Sequence, residues 1–237
     1  MTLHRSLCIM GLATLSLVLT PSFASAITIT RLSDFTDTQF NDLLSSKEFQ
    51  ELFVAEGRMG NNALNGDREL GINNADFQPV VQGDFIWQNG QPEDFSVAYN
   101  GSQLSYRVGG ETLVSNIFNG SVNDIYIRTR ETSASNVRLD NLLFNGIALG
   151  DNAVSEPNDS DGVDYLRLSD ISAPFTLAGN VTMSWTGSRP NHSNLAYQIK
   201  VGETTSSSKN VPEPSTVGAL LLTGIIAISC SKRKRIS

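Results

Sequence analysis

Between Glu156 and Asp164 the chain reads Glu-Pro-Asn-Asp-Ser-Asp-Gly-Val-Asp, its densest run of carboxylates. Carboxylate and amide oxygens gathered round a glycine turn are the hard ligands that calcium takes. Asp159, Asp161 and Asp164 are the expected ligands, and calcium is the one cofactor this reading names. The spacing is not that of an EF-hand. Pro157 stands at the first ligand position, and Leu168 stands where a bidentate glutamate belongs. A solvated acidic turn without metal is the competing reading.

Other chemistry is limited by inventory. Both cysteines, Cys8 and Cys230, lie near the ends of the chain, and His192 is the only histidine besides His4. The long middle region therefore offers no disulfide, no thiol nucleophile and no Cys/His zinc site. A Ser-His-Asp triad would have to use His192, which sits in the polar loop sequence SRPNHSN with no nucleophile elbow to match it. A glycoside hydrolase needs two opposed carboxylates. With 24 acidic residues to choose from, their presence selects no pair. No catalytic residue is expected, and the chain reads as a non-enzyme. Trp87, Tyr99, Tyr106 and Tyr126 could stack on sugar faces while Asn and Asp side chains bond hydroxyls, although aromatic residues in strands more often fill a core. The sequons at Asn100, Asn119, Asn158, Asn180 and Asn191 are what an Asn- and Ser-rich chain produces by chance.

The elements that must position these residues are mostly strands. Thr36 or Asp37 caps a predicted helix over Asp37 to Phe53, with Phe40, Leu43, Leu44, Leu52 and Phe53 at helical spacing and Gly57 as its stop. Before it, Ile27 to Leu32 alternates and reads as an edge strand. After it, short runs of period two alternate with Gly- and Asn-rich turns. GDFIWQNGQ reads as a strand entering an Asn-Gly turn. Asp94 to Asn100 and Gln103 to Val108 flank Asn100-Gly101, a hairpin signal. Asp124 to Thr129, Val137 to Phe144, Val163 to Leu168, Phe175 to Leu177, Val181 to Trp185 and Leu195 to Val201 follow. The expected fold is mainly β, a β-sandwich or jelly roll with one N-terminal helix. Phe95, Val97, Tyr106, Ile125, Ile127, Leu139, Leu142 and Trp185 are its expected core. The folded unit spans 27–201, and 202–210 reads as a polar linker.

The two ends carry addresses. Residues 1–26 place Arg5 before an apolar run, Leu7 to Leu19, then Pro21 and the small residues Ala24-Ser25-Ala26. This is the order of a secretory signal peptide, cut after Ala26 by signal peptidase. Cys8 lies inside the apolar run, which argues against a lipoprotein anchor. At the other end, Thr216 to Ser231 carries no charge and is followed by Lys232, Arg233, Lys234 and Arg235. Basic residues hold to the cytoplasmic side, so 216–231 reads as a transmembrane helix with a membrane stop at 232–235.

Val211-Pro212-Glu213-Pro214-Ser215, the apolar helix and the basic cluster together resemble the PEP-CTERM sorting signal of exported bacterial proteins. The resemblance covers the last tenth of the chain. It implies that Pro212, Glu213 and Pro214 are recognised by an exosortase-type transpeptidase or protease that removes the tail. The two prolines keep the backbone extended ahead of the helix, which suits a protease site. A permanent single-pass anchor has the same topology. In the middle, FVAEGRMG, VRLDNLLFNG and FTLAGNVTMSW with LAYQIKVG are similar to choice-of-anchor domains, nearest to type W. That family brings no established activity, so the likeness assigns no catalytic residue.

The charge between the two signals is acidic, and solubility is its main reading. Five of the 17 Lys and Arg residues but only one of the 24 acids lie in the two terminal signals, which leaves 12 cations against 23 anions between them. Such a surface excludes nucleic acid as a partner. The sequence as a whole points to an exported, noncatalytic surface or matrix protein. It would be held at the inner membrane transiently, then released to the cell surface or medium, in association with exopolysaccharide or biofilm. A carbohydrate-binding module is the alternative.

Overall fold

The computed structural model describes residues 27–60, 66–150 and 162–205. Several expected features lie outside the described residues: the signal peptide with Ala24 and Ala26, the tail with Pro212, Glu213, Pro214, helix 216–231 and Lys232 to Arg235, and the loop acids Asp159 and Asp161. Among the described residues no helix is long and apolar enough to cross a membrane.

The described chain is mainly β. In order it forms β1 (Thr28–Arg31), α1 (Asp37–Ser45), β2 (Phe49–Met59), β3 (Leu70–Asn74), β4 (Pro79–Gly83), β5 (Pro92–Tyr99) and β6 (Leu104–Val108). Then come β7 (Glu111–Ser115), β8 (Asp124–Arg130), β9 (Ser135–Phe144), β10 (Ile147–Ala148), β11 (Val163–Ser169), β12 (Phe175–Trp185) and β13 (Leu195–Thr204). They make two antiparallel sheets, one ordered β1-β11-β8-β13-β2-β3-β4 and the other β10-β9-β12-β5-β6-β7. Inward side chains of both sheets meet in one core that includes Phe53, Ile127, Tyr197, Val97, Leu139 and Met183. This is a sandwich-like arrangement, held by alternation: residues i and i+2 of a strand share a face.

The hairpin at Asn100-Gly101 shows how local chemistry sets register. Gly101 takes φ 100°, and the Asn100 side-chain oxygen accepts from the backbone N–H groups of Ser102 and Gln103. Val97 then faces Tyr106, and Tyr99 faces Leu104, all four of them buried. Of the expected core, Phe95, Val97, Tyr106, Ile125, Ile127, Leu139 and Leu142 are buried, and Trp185 packs against the core half-buried.

The helix is shorter than its spacing suggests. Thr36 caps it in a capping box with Gln39, and it ends at Ser45. Phe49 to Phe53 belong instead to β2, and Gly57 lies within that strand. β2 pairs with β13 from Phe49 to Met59 and with β3 from Phe53 to Gly57, and these ladders hold its backbone extended. Residues 84–88, expected to be a strand, are irregular, the preceding strand β4 ending at Gly83. The two segments around Gly179 form one strand, β12, and β13 runs to Thr204, three residues past Val201. β3, β4, β7 and β10 were not anticipated. Their short runs are bounded by polar residues and show weak alternation.

A bulge reconciles Leu139 and Leu142, which strict alternation would put on opposite faces. Opposite Ala178 to Asn180, β9 advances from Leu143 to Asp140 and so carries one extra residue. Asn141 absorbs it at φ 51°. A Cβ on Gly179 would come within 2.7 Å of the Asp140 carbonyl and 2.9 Å of the Leu142 side chain, so a larger residue at the facing position forces the bulge to shift.

Candidate functional site

The aromatic side chains that could stack on sugar, Trp87, Tyr99, Tyr106 and Tyr126, take the alternative place in the core. Tyr99 and Tyr106 are at most 1% exposed, and Trp87 and Tyr126 are at 3%. Trp87 packs on Phe85 and Tyr197, and its indole N–H donates to the Arg58 carbonyl at 3.1 Å. The Tyr99 hydroxyl donates to the Gly101 and Gly120 carbonyls. Tyr106 and Tyr197 share a 2.6 Å hydrogen bond between the sheets. Tyr126 lies beneath α1 against Phe40 and Phe49. Inward position on a strand decides Tyr99 and Tyr106, packing of the irregular segment 84–88 onto the core decides Trp87, and burial under the helix decides Tyr126.

Asp164, the one expected calcium ligand within the described residues, sits in β11 with its carboxylate 3.4 Å from the Arg31 guanidinium. A cation at the preceding loop would have to compete with that arginine for it. Among the described residues no three His, Cys, Asp or Glu side chains are grouped as a metal site. His192 lies in an exposed loop at φ 55°, its Nδ1 2.8 Å from the Asn191 side-chain oxygen.

A groove with a volume of about 410 Å³ lies on the outer face of the seven-stranded sheet. Three cross-strand rows make its floor. Arg130, Ala196 and Arg58 form the first; Arg128, Gln198, Glu56, Gly71 and Gln82 the second; Lys200, Val54 and Asn73 the third. α1 walls one side, bringing Asp37, Phe40 and Asn41 to the groove. It is seated there by Phe40, Leu43 and Leu44, which pack on Phe49, Tyr126, Val163 and Tyr165. The β3–β4 turn walls the other side with Phe77, an exposed phenylalanine at φ 55°. Another depression, of about 460 Å³, abuts the six-stranded sheet at Ala98, Ser105, Asn145 and Thr176, and no charged side chain lines it.

Most charges of the groove are already matched. Arg128 forks onto Asp37 through Nε and Nη2 at 2.6 and 2.5 Å, and the Tyr165 hydroxyl donates to the same carboxylate at 2.7 Å. Burial alone would raise the Asp37 carboxyl. The Arg128 hydrogen bonds and charge, the Tyr165 hydroxyl and the Arg130 charge outweigh it and hold Asp37 below the usual carboxylate range. Glu56 pairs with the Arg58 guanidinium at 3.3 Å and accepts from the Gln198 amide at 3.1 Å. The Lys200 ammonium lies between the Phe40 and Phe77 rings, 4.8 and 4.6 Å from their centroids, and 3.3 Å from Glu51. Burial pushes the Glu51 carboxyl up and the Lys200 ammonium down, each opposed by the other's charge. Arg130 differs. It is exposed, and no side-chain hydrogen bond or ion pair holds it among the described residues.

This arrangement offers fixed donors, acceptors and one uncommitted cation. The groove residues were not singled out as a site from the sequence, although one signal was present. In DIYIRTR and LAYQIKV, Tyr126, Arg128 and Arg130, and Ala196, Gln198 and Lys200, alternate with residues that are apolar except for Thr129. Each strand thereby declares a polar face. Which strands lie side by side could not be read from that alternation.

No protein-family model matches the chain, and a search of curated proteins finds no significant relative.

Proposed function

We propose that this chain is an exported, noncatalytic surface or matrix protein, sorted through a PEP-CTERM signal, whose jelly-roll-like sandwich contacts extracellular polysaccharide through the polar groove. The groove carries the reading. It is an open floor of hydrogen-bonding side chains whose acids are tied to cations, which suits holding a hydroxylated ligand. The groove's volume falls within the range of small-ligand sites. Phe77, exposed at its wall with the Lys200 ammonium over one side of its ring, supplies the aromatic surface that the buried Trp87, Tyr99, Tyr106 and Tyr126 cannot. Export is supported by the order of elements at both termini: basic residue, apolar run and A-x-A at one end, Pro-Glu-Pro, apolar segment and Lys-Arg-Lys-Arg at the other. Signal peptidase and an exosortase-type enzyme are the processing partners.

A reporter active only outside the cytoplasm, inserted just before Val211, tests delivery. Activity in intact cells is expected, and activity confined to the cytosol overturns the reading. Mass measurement of the mature protein then separates release from permanent anchoring, since an anchored product retains residues 215–237.

A further inference from the structure

Resting on the proposal that the groove meets polysaccharide, we infer that its ligand is an acidic one, a uronate-type saccharide whose carboxylate sits on Ala196 between Arg58 and Arg130. These three residues are direct cross-strand neighbours on β2, β13 and β8. At the usual strand spacing the two arginines stand roughly 10 Å apart, and only a methyl group lies between them. That leaves a shelf with a guanidinium on each side, the geometry that receives a carboxylate with charge-assisted hydrogen bonds.

The two arginines are differently prepared. Arg58 is held in place: its Nη1 contacts Glu56 at 3.3 Å, its Nε donates to the Arg68 carbonyl at 3.4 Å, and its own carbonyl accepts from Trp87. Arg130 has no such engagement among the described residues, and its charge is felt at Asp37. Counting the groove's lining with Glu51 beneath Lys200, Arg128 pairs with Asp37, Arg58 with Glu56 and Lys200 with Glu51, which leaves Arg130 as the surplus positive charge. A surplus cation in a groove is unexpected on a region that carries 12 cations and 23 anions, where acidic surface otherwise repels polyanions. From the shelf, the floor continues to the Gln198 amide and the Gln82 side chain, with Phe77 at the wall. A carboxylate at one end, then hydroxyls, then a C–H face is the sequence of groups that a uronate chain presents. An acidic peptide presents no ring of hydroxyls for the amides to use.

The test is binding of the full-length protein, held in mild detergent, to three probes: an oligouronate, the same oligomer with its carboxyls reduced to alcohols, and poly-glutamate. Calorimetry or fluorescence reads the affinity at low and high salt. The oligouronate is expected to bind most tightly and to weaken with salt. Arg130→Ala is expected to reduce its affinity about ten- to a hundredfold, the range for losing a charge-assisted hydrogen-bond pair, and to leave the reduced oligomer unaffected. Ala196→Phe fills the shelf without altering charge and is expected to reduce binding of the oligouronate at least as much. Arg107→Ala, an exposed arginine on the other sheet, is expected to match the native protein. Equal binding of charged and reduced oligomers, with Arg130→Ala silent, overturns the acidic assignment and leaves the polysaccharide reading standing. Poly-glutamate binding as tightly as the oligouronate overturns the saccharide assignment. Binding of none of the three overturns both the inference and the groove's polysaccharide role, while delivery to the surface is judged by the reporter alone.

Discussion

Removing one hydroxyl from the Tyr106–Tyr197 pair is expected to cost more than removing both. Tyr106 projects from β6 of one sheet and Tyr197 from β13 of the other, both fully buried, with their oxygens 2.6 Å apart. Burial raises both phenol pKa values above the ordinary one, so both are neutral at physiological pH and the bond joins two uncharged hydroxyls. Tyr106→Phe or Tyr197→Phe keeps the ring in place and leaves the other hydroxyl buried without a partner, a loss of about 1–3 kcal/mol. The double variant removes both polar groups and keeps both ring shapes, which is close to neutral. For a domain of this size each kcal/mol moves the melting temperature by about 2–4 °C. Urea unfolding of the four proteins, with unchanged m-values, closes the thermodynamic cycle. Single variants within about 0.5 kcal/mol of native, or a double variant whose loss is the sum of the singles, would refute the reasoning.

Other perturbations test separate parts of the structure. Glu51→Gln strands the Lys200 ammonium in its aromatic cage and is expected to cost about 3–5 kcal/mol, whereas Glu51→Leu with Lys200→Met is expected to be neutral or stabilising; calorimetric melting distinguishes them. Asp37 has a depressed folded-state pKa, so its contribution to stability is fully present above its unfolded value of about 3.9 and is lost as pH falls through the lower folded value. Asp37→Asn should therefore flatten that part of the acid limb in pH-dependent unfolding curves, and an unchanged limb would contradict the assignment. Gly179→Ala meets the Asp140 carbonyl at 2.7 Å and is expected to lose about 1–3 kcal/mol in the same denaturation assay, with Gly110→Ala, which meets nothing, as the control.

Much of the fold was legible because strands write their facing into alternation. Ile125, Ile127 and Tyr106 belong to the core by that rule alone, and Asn100-Gly101 marks its hairpin by turn chemistry. The limits of the helix were not legible. Phe49 to Phe53 fit a helical spacing as well as a strand, and only β13, distant in sequence, pairs with this stretch and makes it a strand. The bulge at Asn141 was hidden for a similar reason: it becomes visible only when Asp140 and Leu143 are set against Asn180 and Ala178.

By itself, the sequence determined the mainly β class, the cysteine-free and histidine-poor chemistry of the middle region, its acidic balance, and the terminal patterns that resemble export and sorting signals. These depend on composition and local order, which need no neighbours in space. Only the tertiary structure decided that Trp87, Tyr99, Tyr106 and Tyr126 are core, that Asp164 faces Arg31, and that Arg58, Ala196 and Arg130 share one row. A side chain's availability and its partners depend on which strands pair and in what register, and long-range packing sets both.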